Sequence, residues 1–482
     1  MAGQRRALAN AEVDAGGGGG GGARLPTPPP SFLPPPAAQS PPASSPSSRA
    51  MDALARAPSG GEPHEALSPN SVYKFDVAKY KDGSYRLVPA SARDLVKYTG
   101  RVLHHGPTPA RKTKVNTVQF DWSAVAFELR VRGARSVGIR LKGDGNYFNV
   151  FVNDELQCIL RASVNATCCE VVDELDVAQE YTIRVTKRTE PQMRGAMSTF
   201  KVCTFYGFIV DGTAEVLPID DEPPTRKIEF IGDSDTCAFG NEGKASSAKN
   251  LFGLKGRMEN VYNGYACIAA RMLGAEAHIL AWSGKGVHSN SADWGSPMPE
   301  LWTRTLASRP GEWDMSSWVP DVVVINLGLN DLSPPASAET DIIQAYAAFV
   351  AQVRTHRPNA HIFCVVCDEG CVSAEDSETN RQLVSQQLQE IVRVAISKVN
   401  RHDDKIYYTL VSVGEGLGTE DFATLMHYAV SGHVKIAKVL ADEIALRTSW
   451  RVKQDATTMP YPQPKDKIVV SRERSTASCS IS

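Results

Sequence analysis

Four short stretches of the chain carry groups that belong to one kind of chemistry. Gly232-Asp233-Ser234-Asp235-Thr236 offers a serine hydroxyl in a turn, and Ser283-Gly284-Lys285-Gly286 a glycine amide. Gly328-Leu329-Asn330-Asp331 offers a carboxamide, and His427 an imidazole. Acyl transfer needs these parts. A serine hydroxyl attacks a carbonyl well only when a neighbouring imidazole takes its proton. The tetrahedral intermediate then carries negative charge on the former carbonyl oxygen. Donors fixed in advance must meet that charge, and losing one costs ~3–4 kcal/mol. Ser234 N–H, Gly284 N–H and the Asn330 side-chain amide are the candidate donors. A glycine there lets the main chain come close without a Cβ in the way. Taken singly, each residue has an ordinary reading: Ser234 a turn former, Asn330 a cap, His427 a satisfied or exposed histidine. Their joint occurrence carries the functional reading. His433, inside the last helical pattern, is a rival base, and Cys237, three residues past Ser234, a rival nucleophile.

The groups converge only if the surrounding elements bring them to one edge. Near-continuous apolar runs at Lys227–Ile231, Glu276–Trp282, Asp321–Leu327, Ile362–Val366 and Ile406–Val411 read as strands buried on both faces. Helical spacing lies between them. Val261, Tyr265, Ala269 and Met272 form one stripe within 258–273; Ile342, Tyr346, Phe349, Val350 and Val353 form another. Leu383, Leu388, Ile391, Val392 and Ala395 make a third, and Ser431–Arg447 a closing helix. Strands alternating with helices imply one parallel sheet covered on both faces, about 225 residues in all. Ligands of such sheets bind beyond the carboxyl ends of the strands. The serine, glycine and asparagine follow the first three strands, and His427 lies between the fifth and the last helix.

Ahead of this the pattern has period two. Phe127, Leu129 and Val131 alternate with Glu128, Arg130 and Arg132; Val137, Ile139 and Leu141 with Arg140 and Lys142; Tyr181, Ile183 and Val185 with Thr182, Arg184 and Thr186. One face is buried and one wet, as in a β-sandwich of about 110–120 residues. The expected divisions are a disordered Gly/Pro/Ser-rich tail over 1–70, a linker over 71–100, the sandwich over 101–220, the α/β domain over 225–450 and a flexible tail over 451–482. The first tail contains the glycine run Gly16 to Gly22 and PxxP patterns of the kind SH3-like domains read.

Composition narrows the function. The chain has 482 residues, 42% hydrophobic and 22% charged, with formal net charge -2. That gives no basic footprint for nucleic acid. No apolar run reaches the length of a membrane span, and no apolar signal core follows the first methionine. Ten scattered cysteines suit free thiols, so a cytoplasmic setting is slightly favoured. Neither GxSxG nor HExxH occurs. Cys364, Cys367 and Cys371 are spaced CxxC-x₃-C, but the first two fall on a buried strand and read as core thiols. No metal or cofactor is called for, and the oligomeric state is not written in the sequence.

GDSDTCAFG resembles the GDSL block of SGNH hydrolases, and IEFIGDSDTCAFGNEG is similar to the version in carbohydrate esterase family 2. Three further stretches carry the same resemblance: Tyr181–Glu190 (YTIRVTKRTE), Trp313–Asp331 (WDMSSWVPDVVVINLGLND) and His427–Leu440 (HYAVSGHVKIAKVL). The resemblance covers about residues 100–447. It implies an N-terminal jelly-roll sandwich joined to a three-layer α/β/α SGNH domain with a five-stranded parallel sheet. It implies an activity that removes acetyl groups from carbohydrates without a metal. By position, Ser234 is then the nucleophile, His427 the base, and Ser234, Gly284 and Asn330 the oxyanion donors. The chain departs from the family pattern at three places. Asp235 stands where an aliphatic residue is usual, so a carboxylate sits beside the nucleophile, where it disfavours the oxyanion or contacts substrate. Leu329 replaces a threonine. Thr424 and Leu425 occupy the positions where an acid precedes the histidine. The third member of a triad is therefore Asp421, Glu420 or none, some relatives using a Ser–His dyad oriented by a backbone carbonyl. Trp294, in the loop after the second strand, offers an indole face to a sugar ring. The expected partner is an acetylated carbohydrate or other short-acyl ester. The alternatives are a carbohydrate-binding protein without turnover and an esterase for lipid or thioester substrates.

Overall fold

A computed structural model describes residues 84–106, 116–191, 194–195, 198–199, 202–219, 225–244, 256–291, 295–333, 335–367, 378–414, 416–453 and 468–470. The tail over 1–70, Trp294 and Cys371 lie outside these residues.

The alternating segments form strands of a two-sheet sandwich. In chain order they are β1 (Tyr85–Pro89), β2 (Val96–Thr99), β3 (Leu103–His105), β4 (Thr117–Phe120), β5 (Ala126–Arg132), β6 (Val137–Lys142), β7 (Tyr147–Val152) and β8 (Glu155–Arg161). There follow β9 (Thr167–Val172), β10 (Glu180–Lys187), the two-residue β11 (Arg194–Gly195) and β12 (Ser198–Thr199), β13 (Cys203–Asp211) and β14 (Glu215–Leu217). One sheet has the order β3-β4-β13-β6-β9 with β1 on β13, and the other β14-β5-β10-β7-β8 with β2 on β5. Phe127, Leu129 and Val131 are buried as the alternation demands, and so are Val137, Ile139 and Leu141. Phe127 stacks on Phe205 with ring centroids 4.0 Å apart. Each such buried side chain contributes roughly 2–3 kcal/mol.

The sandwich starts before the expected boundary. Residues 85–99 were assigned to a linker, yet β1 pairs with β13 from Tyr85↔Asp211 to Pro89↔Gly207, and β2 pairs with β5. The C-terminal tail likewise returns: β20 (Ile468–Val470) lies parallel to β8.

The α/β domain contains β15 (Lys227–Gly232), β16 (Glu276–Ala281), β17 (Val322–Asn326), β18 (His361–Cys367) and β19 (Ile406–Val411), all parallel, in the order β16-β15-β17-β18-β19. The helices are α1 (Tyr265–Met272), the single turn α2 (Met298–Leu301), α3 (Glu339–His356), α4 (Glu378–Val399) and α5 (Val430–Thr448). Val323, Ile325, Ile362 and Cys364 pack under α3 and α4, while Val322, Val324, Phe363 and Val365 pack under α1 and α5. This is the three-layer arrangement. The helix expected over 258–273 shortens to α1. Asn260 and Asn263 both donate to Glu242 Oε1, at 2.6 and 3.2 Å, which breaks the first turns into 3₁₀ segments. Leu383, expected in the α4 stripe, is exposed.

The two domains share a buried polar junction. Arg101, just after β2, donates to Glu229 of β15 at 3.0 Å, and Arg357 faces the same carboxylate at 3.3 Å. All three side chains are fully buried. Arg188 donates to Asn149 Oδ1 at 2.7 Å and pairs with Glu242. Thr186, expected on the wet face, is buried, as are Lys187 to Glu190, because the α/β domain covers this end of β10.

Candidate active site

The parallel register sets the rim. Gly232 is level with Ala281 on one side and with Asn326 on the other, so the segments after β15, β16 and β17 leave from one edge. Ser234 is the second residue beyond β15 and is half-buried. Its carbonyl accepts Phe239 N–H at 2.9 Å, closing a tight turn in which Ala238 is left-handed. The Phe239 ring lies 4.9 Å from the His427 imidazole, between centroids, so the turn that carries Ser234 packs directly on His427. Among the described residues the Ser234 hydroxyl has no hydrogen-bond partner, and it is not bonded to His427. Such nucleophile–base bonds are commonly loose until substrate is engaged.

His427 is aimed by its own loop. Its Nδ1 lies 3.2 Å from Thr424 O. A carbonyl oxygen only accepts, so Nδ1 carries the proton and Nε2 presents its lone pair. The loop is tight: Ala423 N–H donates to His427 O at 2.7 Å, and Phe422 bridges Tyr428. Leu425 and Met426 both take left-handed backbones, with φ of 53° and 61°. Each costs ~1–2 kcal/mol, which the surrounding bonds must hold in place. Thr424 also donates its hydroxyl to Gly240 O at 3.1 Å, tying this loop to the end of the Ser234 turn.

Neither acid considered as a third member reaches the imidazole. Asp421 is buried, and its Oδ2 accepts Gly418 N–H at 2.9 Å and the Lys435 ammonium. Glu420 is exposed and turns toward Gly418. The Thr424 carbonyl occupies the place an acid would take. His433 sits away from the rim: it is buried, its Nδ1 accepts Tyr265 N–H at 3.2 Å, and burial pushes its pKa down to about 3.

On the donor side, Gly284 is left-handed at φ 76°, which its lack of a Cβ permits. Neither Ser234 N–H nor Gly284 N–H has an acceptor among the described residues. Asn330 is brought to the same place, but both its amide protons are in use, one on Asp233 Oδ2 at 2.8 Å and one on Lys285 O at 3.1 Å. Asp331 builds the loop itself, accepting the N–H groups of Val287, His288 and Ser289 at 2.7–2.9 Å. Asp235 is buried beside Asp233, with only 7% of its surface exposed. The Asp233 carboxyl is pushed well above the ordinary carboxylate range, by burial first and then by the charges of Asp235 and Asp331.

The sequence marks Thr424 only as standing where an acid is usual, and it assigns no part to Asp233 or Asp331. The two aspartates sit inside recognisable blocks, but nothing in residue type told that their work is to hold Asn330 and the 286–289 backbone. Cys237 is buried, and burial raises its thiol well above its ordinary range, so it is a poor nucleophile. Cys364 and Cys367 are buried free thiols of β18. No helix among the described residues is long and apolar enough to cross a membrane.

Residues 230–433 match the model of the GDSL-like Lipase/Acylhydrolase family, and residues 110–219 match the model described as Carbohydrate esterase 2 N-terminal. The Cellulase/esterase CelE of Acetivibrio thermocellus is 34% identical over 334 residues, 68% of this chain but 38% of that protein, so the chain spans well under half of that relative. An Acetylxylan esterase / glucomannan deacetylase of Cellvibrio japonicus is 25% identical over 301 residues, 60% of this chain and 77% of that one. The solved structure of a family two carbohydrate esterase from Clostridium thermocellum, in complex with cellohexaose, superposes with a TM-score of 0.61 at 30% identity. It covers 74% of this chain and 99% of its own. A sandwich and a GDSL-type domain in this order, with a relative matched along nearly its whole length, place the chain in the family 2 carbohydrate esterases, a family of carboxylic ester hydrolases.

Proposed function

We propose that the chain hydrolyses O-acetyl and other short-acyl esters on carbohydrates through a Ser234–His427 dyad. The observation that carries the reading is the imidazole held by Nδ1–H on the Thr424 carbonyl, with Nε2 open on the rim that Ser234 shares. In the first step Nε2 takes the Ser234 proton as Oγ attacks the acyl carbon. Negative charge on the former carbonyl oxygen is met by Ser234 N–H and Gly284 N–H. Asn330 contributes a third donor when its longer bond, to Lys285 O, yields to the oxyanion. Collapse expels the sugar hydroxyl, which takes the proton from His427, and leaves acetyl-Ser234. Water activated by the same nitrogen releases acetate. The Thr424 carbonyl does the orienting work of a triad acid without a formal charge to stabilise the imidazolium. The charge of Asp235 acts on its neighbour: with burial it holds the Asp233 carboxyl well above the ordinary carboxylate range.

Acetylated xylan and glucomannan are the first substrates to offer, by likeness to the Cellvibrio japonicus enzymes. The deciding experiment compares wild type with Ser234→Ala on p-nitrophenyl acetate and acetylated xylan, with fluorophosphonate trapping and peptide mapping. Acetate release that vanishes in Ser234→Ala, with label on Ser234, supports the dyad; equal rates exclude it. The fully occupied Asn330 amide favours one other reading, a carbohydrate-binding protein without turnover. Glycan affinity with no acetate release from wild type is its signature.

A further inference from the structure

We infer that Glu190, a residue of the sandwich segment, positions the oxyanion loop of the catalytic domain by holding the amide next to that of Gly284. The inference rests on the Ser234–His427 reading and goes one step further, assigning the sandwich a part in the reaction.

Glu190 lies three residues past β10 and is 1% exposed. Its side chain enters the α/β domain, where Oε2 accepts Ser283 N–H at 2.8 Å and the Cys237 thiol at 3.8 Å. Ser283 immediately precedes Gly284, and Cys237 closes the turn that carries Ser234, its N–H on Asp233 O at 3.0 Å. One carboxylate therefore touches both segments of the rim that supply main-chain donors. The amides around Gly284 are consumed in order. Trp282 N–H goes to Gly232 O at 3.3 Å, Ser283 N–H to Glu190, and Lys285 N–H to Trp282 O at 3.3 Å. The Gly284 carbonyl accepts Ser291 N–H at 3.0 Å. In the run 282–285 only the Gly284 amide is left without an acceptor among the described residues, and the acceptor of the amide beside it comes from the other domain.

Glu190 is itself anchored at both main-chain ends. Its N–H donates to the Glu259 carboxylate, and its carbonyl accepts the Lys187 ammonium at 2.9 Å. The charged and titratable groups around it are Lys187 and Arg188 from its own segment, Glu259 from the segment before α1, and Cys237 from the turn after β15. Burial pushes its carboxyl up to about 7. A carboxyl oxygen accepts an amide proton in either protonation state, so the loop depends on reach rather than charge. A purely structural buried acid would not need to meet this one N–H.

The test compares Glu190→Ala, Glu190→Asp and Glu190→Gln in the full chain. Shortening by one methylene withdraws the acceptor by about 1.3 Å, beyond hydrogen-bond range of Ser283 N–H. Glu190→Ala and Glu190→Asp are expected to lower kcat on p-nitrophenyl acetate by at least about tenfold with KM unchanged. Amide hydrogen exchange in a peptide covering 282–286 should quicken with them. Glu190→Gln, which keeps the acceptor and loses the charge, should restore kcat to within about threefold of wild type. If Glu190→Ala does not fold, the Asp and Gln pair carries the comparison. Wild-type kcat in folded Ala or Asp variants overturns the inference, as does a folded Gln variant as impaired as the Asp variant. These outcomes leave the dyad standing, since wild type and Ser234→Ala are measured alongside. Wild type without Ser234-dependent hydrolysis overturns both.

Discussion

Asn330→Ala separates the bracing role this side chain has in the structure from the oxyanion role proposed for it. The amide donates to Asp233 Oδ2 at 2.8 Å and Lys285 O at 3.1 Å, and both acceptors are in buried residues. Deleting it strands two acceptors, at roughly 1–3 kcal/mol each if nothing replaces the donor. Partial relaxation brings the sum to about 2–4 kcal/mol. If Asn330 also meets the oxyanion, the transition state loses a further ~3–4 kcal/mol, which is 10²–10³ in kcat. Fold stability and turnover are thus expected to fall together but by independent routes. Denaturant unfolding measures the first; kcat for p-nitrophenyl acetate and the rate of fluorophosphonate labelling at Ser234 measure the second. Both kinetic readings are taken well below the unfolding transition. A variant that is destabilised yet keeps kcat within about threefold of wild type would show that Asn330 is a strut for the Lys285 loop and not a donor. That result would leave two main-chain amides to carry the charge alone.

Asp421→Asn should keep kcat within about tenfold of wild type, where a true triad acid would cost as much as 10⁴. It should lower unfolding stability by roughly 1–3 kcal/mol, because the charge partner of Lys435 is lost at a buried site. A steady-state comparison plus an unfolding curve decides between them. Gly207→Ala tests whether β1 belongs to the sandwich. Gly207 is left-handed at φ 147°, and a Cβ there would lie 2.1 Å from Val88 O, so the strand pair must part or shift. A loss of roughly 2–4 kcal/mol in unfolding stability is expected, and an unchanged midpoint would refute the role given to that pairing.

What the sequence disclosed follows from which signals are local. Runs such as Val322–Ile325 are buried on both faces by helices close in sequence, so their apolar continuity was readable. The order of Ser234, Gly284, Asn330 and His427 followed from strand order and needed no side-chain detail. β1 and β2 escaped because four or five residues carry little period, and the partner of Tyr85 is Asp211, far along the chain. Thr186 falls on the wet face of the alternation and is buried all the same, because alternation reports a face, not what later covers it. The group that orients His427 could not be seen in residue types at all, since Thr424 meets Nδ1 through its carbonyl. Asn330 was recognisable, but its double engagement depends on an aspartate and a carbonyl from two other segments.

The junction also bears on how such a chain can be inherited. Glu229 faces two guanidinium groups, one from each half, and Glu242 faces Arg188 of the sandwich. A recombination that kept the catalytic half and swapped its leader would take a charged partner from each carboxylate, Arg101 from Glu229 and Arg188 from Glu242, a heavy penalty at sites this enclosed. The two halves are therefore poor currency for domain shuffling, and selection acts on them as a single heritable piece.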